Sequence, residues 1–254
     1  MTKLSKVLTS VPNNFIILDG WLKQHDISNS LKQKYLKAGW LHSLGKGASY
    51  RAGDIPNWPN AIAAINQQGM YIHVGGKTAL ELLGASHFIH ENITNLNLYG
   101  VSGQYLPQWF VSHDWQTKVQ YFQLNFLPPE LGIKQFTLED STFNISGSER
   151  ALLELLYLIP KIHSIEEAYY IVENLADIKF LLLQELLENC NSIKVKRLCL
   201  YLADRAAHSW LKGLDKTRIK LGSGNRQIVL GGYLDPTYRI TIPKSWKEDE
   251  ASIF

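Results

Sequence analysis

The sequence predicts an α+β chain: an N-terminal winged helix-turn-helix followed by a larger mixed α/β domain with a helix-rich C-terminal part. Three observations predict it. Between residues 29 and 52 a short capped helix with a basic outer face leads through an aromatic corner into a glycine hairpin. From Asn95 short alternating segments are separated by turns, and after Ser146 the apolar spacing becomes helical. With 254 residues the chain buries a sizeable core and has room for two or three such units.

A first helix is expected over residues 3–10, where Leu4, Val7 and Leu8 share a face and Pro12 stops the chain. A second is expected over 17–24. There Leu18, Trp21, Leu22 and His25 fall at i, i+3, i+4 and i+7, the spacing of one buried stripe. In the third helix Ser28 or Ser30 caps the first turn, because a serine hydroxyl accepts from its free N–H groups. Leu31, Tyr35 and Ala38 face inward, and Gly39 supplies the left-handed end. On a 100° wheel Ser30, Gln33 and Lys37 point away from that stripe, with Asn29 beside them and Lys32 and Lys34 on its flanks.

Lysines beside short amides suit a DNA groove, since ammonium groups contact phosphates while Gln and Asn read base edges. A solvated amphipathic helix is the plainer reading of this helix taken alone. Its continuation favours the first: residues 40–44 read as a strand, Gly45-Lys46-Gly47 as a tight turn, and residues 48–52 as the returning strand. Helix and hairpin together place Asn29, Ser30, Lys32, Gln33, Lys34, Lys37, Lys46, Ser49 and Arg51 as the DNA-contact set. A winged helix used for protein contacts alone is the alternative.

The run from Gly53 to Pro59 is rich in turn formers and marks the joint. Residues 1–53 are therefore expected as the DNA-binding domain and 57–254 as the C-terminal domain, with a mixed lobe at 57–147 and a mainly helical lobe at 148–254. A helix is expected over 58–68, a strand over 70–74 and a helix over 77–83, ended by Gly84. The GGKTALELLG run lacks the first glycine of a phosphate-binding loop, whose place is taken by Tyr71. Packing of helix on strand explains Gly75-Gly76 better than anion binding by the helix N-terminus. Strands are expected over 96–99, 119–126 and 135–145, with a short helix opening at 107–110. Helices follow over 148–159 with Ser148 as the cap, then 165–175, 178–189 and 193–209. A last strand is expected over 238–242, and residues 244–254 are expected to fray.

Charge is unevenly spread. Residues 1–55 hold eight Lys/Arg against three Asp/Glu, whereas residues 56–150 hold four against seven. Such a split suits a local polyanion contact at the N-terminus. Residues 191–226 are basic again, and Lys194, Arg197, Arg205, Lys212, Lys216, Arg218 and Lys220 make a candidate partner strip. Contact with a partner protein, added DNA contact and a solvated face paired with the acidic helices before it all remain open, the last ranked first.

Cys190 and Cys199 are too few for a disulfide framework and read as buried thiols in a reducing compartment. The N-terminus is too polar for a signal peptide, and apolar runs such as residues 180–183 are too short to span a bilayer. A cytoplasmic protein without membrane contact is expected. His87 and His90 match neither HExxH nor HxxEH, and a loop pair explains them better than zinc. His73 reads as a core histidine. Gly222-Ser223 and Asp235 loosely resemble a nucleotidyltransferase signature, but Thr237 stands where a second metal carboxylate belongs. No catalytic residue, metal site or cofactor is expected, and an enzyme is not.

The colinear order WLKQHDIS, LKQKYLKAGWLHSLGKGASYRAGD, IHVGGKTALELLG, LNLYG, LPQWF and SGSERALLELL resembles the AbiEi family, the antitoxins of type IV toxin–antitoxin and phage abortive-infection systems. The resemblance implies a winged helix that binds inverted repeats in its own promoter and represses the operon. It also implies a C-terminal portion that opposes a nucleotidyltransferase toxin, directly or indirectly. By position it assigns the DNA-reading helix to residues 29–37 and the wing to 41–52. A monomer in solution that binds cooperatively on DNA is compatible with it. The alternative is a winged-helix transcriptional regulator whose C-terminal domain senses a ligand or protein, with no toxin partner.

Overall fold

The computed structural model describes residues 11–84 and 93–251. The helix expected at 3–10 and the His87/His90 pair lie outside the described residues. The chain is mixed α/β and packs into two compact units, each assembled from separate stretches. One unit takes residues up to 73, 94–123 and 134–145. The other takes 74–93, 124–133 and the chain from 146 onward.

The first unit opens with the winged helix-turn-helix. Ile17–Leu18 (β1) pairs antiparallel with Ala48–Arg51 (β3), which also pairs with Leu41–Gly45 (β2), giving the order β1-β3-β2. A helix beginning at residue 17 was the expectation. Instead Ile17 and Leu18 are extended, because hydrogen bonding to a third strand outweighs their helical spacing, and the helix begins at Asp19. Helices Asp19–Gln24 (α1) and Asn29–Lys37 (α2) close the motif. Ile17, Leu22, Ile27, Tyr35 and Leu41 form its core, with Trp21 and Leu31 partly buried against it. Of the expected inward residues of α2, Ala38 is exposed.

The same unit continues with Trp58–Gln67 (α3), capped by the Asn57 side chain, which accepts from the Asn60 N–H at 3.0 Å. A five-stranded sheet follows. It comprises Ile72–Val74 (β4), Asn95–Gly100 (β5), Lys118–Gln123 (β6), Ile133–Leu138 (β7) and Ser141–Ser146 (β8), in the order β6-β5-β4-β8-β7. β5 and β6 are parallel, from Asn95 opposite Lys118 to Gly100 opposite Gln123. Parallel neighbours need a long crossover. Here it is residues 101–117, which carry the short helix Gln108–Val111 (α5). The single strand expected at 135–145 is two, turned at Glu139, whose φ of 52° is left-handed. Thr137 and Thr142 hydroxyls meet across the turn at 3.0 Å. His73 is buried, as expected, and stacks on Tyr99 at 5.8 Å.

In the second unit Ser148–Tyr157 (α6) is the central helix. Gly76–Leu82 (α4), Ile165–Glu173 (α7), Phe180–Asn189 (α8) and Ile193–Arg205 (α9) all pack on it or its neighbours. Residues 149–156 are buried on every side, charged ones included, which is possible only because those charges are saturated. Arg150 Nε donates to Glu154 Oε1 at 2.8 Å, and its Nη1 reaches the carbonyls of Pro128 and Leu131, each at 2.7 Å. Glu154 Oε2 accepts from the Ser146 hydroxyl at 2.8 Å and the Gly76 N–H at 3.0 Å. Gly147, not the expected Ser148, is the N-cap of α6, and no side chain caps the helix.

The last helices are shorter than the periodicity suggested. α9 ends at Arg205, where Ala207 turns left-handed with φ 52°, and Ser209–Gly213 is a separate 3-10 turn. Tyr233–Leu234 (β9) and Thr241–Ile242 (β10) form an antiparallel pair. Residues expected to fray form a helix, Lys244–Ala251 (α10), because Trp246 is buried against Tyr169 and Tyr201.

Glu154→Leu is expected to lower stability by about 3–5 kcal/mol, since it strands the Arg150 guanidinium and two other donors. The Arg150→Met/Glu154→Leu pair should cost less than the sum of the single changes, because no lone charge remains buried. Urea unfolding of the four proteins measures both.

Candidate nucleic-acid interface

α2 is a surface helix with one buried edge. Its cap is Ser28, extended at φ −72° and ψ 159°, whose hydroxyl accepts from the Leu31 N–H at 3.3 Å. The Ser30 hydroxyl lies 2.9 Å from that of Ser28, within the first turn. Asn29, Ser30, Gln33, Lys34 and Lys37 are all exposed, and their three- and four-residue spacings stack them along adjoining rows of the helix. α2 contains no acidic residue to offset its lysines.

Three members of the expected contact set are held elsewhere. Lys32 is not on a free flank: it is buried, and its ammonium forms a salt bridge with Asp19 at the start of α1. Its long apolar stem lets it pack inward while the charge reaches a partner. Ser49 is fully buried, and its hydroxyl donates to the Ile17 carbonyl at 3.3 Å. Its place in the central strand of a three-stranded sheet points it into the core. Arg51 is partly exposed, but its guanidinium is spread between Asp54 at 2.9 Å and the Asn13 side chain at 2.7 Å.

The hairpin turns at Lys46-Gly47, with Gly47 at φ 93° and Lys46 exposed at the tip. Register passes from Ser43 opposite Ser49 to Gly45 opposite Ala48, so Leu44 is the extra residue of a bulge and is buried. Gly45 has φ 139°, and a Cβ there would stand 3.0 Å from Cα and Cβ of Trp109. Only glycine permits α5 to approach β2 so closely. Sequence reading missed Trp109 as the seat of the wing. It also missed His42, which faces Tyr50 across the strands with ring centres 5.5 Å apart. The alternating aromatic and histidine positions of the two strands were its available signal.

The basic strip near the C-terminus dissolves on inspection of its partners. Arg197 is 1% exposed and donates to the carbonyls of Leu221, Gly222, Gly224 and Arg239 at 2.6–3.2 Å. Burial, with Arg226 and Arg239 nearby, lowers its pKa. Lys194 donates to the Tyr157 carbonyl at 2.6 Å and to that of Ile159, and burial and Lys161 lower its pKa. The Arg205 guanidinium lies 4.5 Å from the Trp246 ring centre and 5.3 Å from that of Tyr169. Lys212, Lys216, Arg218 and Lys220 are exposed, with Arg218 bound to Glu188 at 2.9 Å. Arg197, Lys194 and Arg205 are therefore internal fastenings: the loop at 221–224 folds over Arg197, the carbonyls of Tyr157 and Ile159 take Lys194, and the Trp246 and Tyr169 rings take Arg205.

Other candidate chemistry resolves similarly. The Gly76 N–H at the start of α4 is taken by Glu154. Asp235 Oδ1 accepts from the Tyr238 N–H at 2.6 Å, a turn-holding role. Cys190 and Cys199 are buried free thiols, and burial pushes the Cys199 thiol up to about 12. Among the described residues no cluster of three or more His, Cys, Asp or Glu has metal-binding geometry. Among them, too, no helix is long and apolar enough to cross a membrane.

Comparison with known proteins gives two family matches that adjoin along the chain. Residues 94–243 match the model described as transcriptional regulator, AbiEi antitoxin, type IV toxin–antitoxin system. Residues 1–91 match the AbiEi antitoxin N-terminal domain, also described as a transcriptional regulator. Among solved structures, the crystal structure of the RV2827C protein from Mycobacterium tuberculosis aligns with a TM-score of 0.60 at 12% identity. The alignment covers 98% of this chain and 93% of that one, a likeness of fold. No curated protein matches.

Lys32→Ala is expected to behave as a stability change, costing about 1–2 kcal/mol through loss of a largely buried ion pair. Lys37→Ala, on the exposed side of the same helix, should stay within about 0.5 kcal/mol of the parent. Thermal or urea unfolding distinguishes them, and equal costs would contradict the orientation of α2 described above.

Proposed function

Since the chain belongs to the AbiEi antitoxin family of type IV toxin–antitoxin transcriptional regulators, we propose that it binds double-stranded DNA through its winged helix and represses its own operon at inverted repeats. The observation that carries this reading is α2 itself. It is free of acidic residues, presents Asn29, Ser30, Gln33, Lys34 and Lys37 to solvent, and is followed by a hairpin with Lys46 at its tip. In this docking α2 enters the major groove, Asn29 and Gln33 meet base edges, and Lys34, Lys37 and Lys46 meet phosphates. Lys32 and Ser49 support the fold, and Arg51 fixes the base of the wing to Asp54 and Asn13.

Gel shifts on the native promoter test it. Each phosphate contact removed should lower the salt slope of binding by roughly 0.9. The Lys34/Lys37/Lys46 triple alanine should therefore lose affinity for all sequences, whereas Gln33→Ala should erode preference for the operator by about 1–3 kcal/mol. Full affinity in the triple variant overturns the docking.

The remainder of the chain, on the same family reading, neutralises a cognate nucleotidyltransferase toxin. Co-expression of that toxin with the full-length triple-alanine variant separates the two activities. Growth should be rescued while the promoter is derepressed, and continued arrest would remove neutralisation from the rest of the chain. The exposed Lys212, Lys216 and Lys220 are the candidate surface for a direct contact. Unchanged rescue after their replacement by glutamate would make them a solvated face.

A further inference from the structure

Within the first unit, the crossover between β5 and β6 lines an open-mouthed pocket of about 530 Å³ whose lining no part of the DNA or toxin reading uses. Four aromatic rings line it, those of Tyr105, Phe110, Trp115 and Tyr121. Phe110 and Trp115 are buried and stack with centres 5.1 Å apart and planes 27° apart. The Trp115 Nε1–H is spent on the Phe110 carbonyl at 2.7 Å, and the Tyr121 hydroxyl donates to the Gln104 carbonyl at 2.7 Å. Those bonds hold the rings in place and spend their polar atoms, so what these residues add to the wall is aromatic carbon. Tyr105 is 74% exposed at the cavity, an aromatic side chain left in water.

The charge at the cavity has one sign. Asp114 is the one carboxylate among the described lining residues, and no lysine or arginine lines it. Its two oxygens accept from the backbone N–H and side-chain amide of Gln116, at 2.9 and 3.0 Å, so each keeps a lone pair. His113 lies edge-on to Trp115 with ring centres 4.4 Å apart. Aromatic faces carry negative potential and attract cations. Rings and carboxylate thus favour the same charge in a guest, and both disfavour an anion. The volume is that of a small-molecule site.

We propose that this cavity binds a small aromatic amine, a flat ring held among the aromatic walls with its ammonium group beside Asp114. The site stands on the cavity alone and does not rest on DNA binding or on a toxin. Titration calorimetry of the full chain with tryptamine, indole and indole-3-acetate tests it, since the three share a ring and differ in charge. Tryptamine should bind roughly fivefold or more tighter than indole, and indole-3-acetate more weakly than either. Asp114→Asn, at an exposed position, should bring tryptamine down to the level of indole. Tyr105→Ala, also exposed, should weaken both severalfold, with circular dichroism checking that each variant is folded. Absence of binding by all three probes at millimolar concentration overturns the proposal. So does indole-3-acetate binding as tightly as tryptamine, or a tryptamine preference that survives Asp114→Asn.

Discussion

The buried pair of Arg150 and Glu154 is the constraint on which the second unit depends. That unit is made from three stretches of chain separated by excursions into the first. Each stretch is tied to one of the two side chains. Glu154 takes the Gly76 N–H from the first stretch and the Ser146 hydroxyl at the head of the third. Arg150 takes the Pro128 and Leu131 carbonyls from the second. A charge pair in the interior is tolerable only when its remaining donors and acceptors are filled. Here the groups that fill them, three from the backbone and one the Ser146 hydroxyl, lie on the stretches that must come together, so satisfying the charges and assembling the unit go together. Close packing finishes the joint, since a Cβ on Gly132 would stand 3.0 Å from that of Arg150.

The same logic runs through α9 with a lone cation in place of a pair. Arg197 distributes its guanidinium over four carbonyls, three of them in the loop at 221–224. Carbonyl dipoles stabilise the cation without a carboxylate, and the irregular loop gains a fixed shape that its glycines would not give it. Lys196 adds a contact to the Lys220 carbonyl at 3.3 Å. A stretch that counts as basic along the chain is thus divided, with its buried members fastening backbone and its exposed members left for solvent or a partner.

What was legible in the sequence was local. The Ser28 cap, the glycine ends of helices and the Lys46-Gly47 turn depend on neighbours within a few residues, and all were visible there. α6 was visible too, from its unbroken apolar spacing, as was the order of helix and hairpin that makes the winged helix. What was hidden depended on residues far along the chain. A helical wheel sets Lys32 on a flank, but Asp19 lies thirteen residues back and decides its direction. Ile17 and Leu18 have helical spacing until Ala48 and Ser49 arrive to pair with them. Arg197 shares a helix face with Arg205, yet its burial is set by a loop that folds back from residue 221. The β7–β8 turn at Glu139 lacks glycine or asparagine, so an alternating pattern ran straight through it.

The seat of the hairpin on Trp109 bears on inheritance. Winged helices are commonly thought of as interchangeable modules, cut at the joint after the wing and joined to new bodies. Here the underside of the hairpin is matched to a tryptophan more than fifty residues past that joint, through a glycine that tolerates no larger side chain. A recombination event at Gly53 would deliver the exposed face of α2 intact and separate the wing from its support. The winged helix and the crossover at 101–117 are therefore expected to descend together, with Gly45 and Trp109 changing as a pair or not at all.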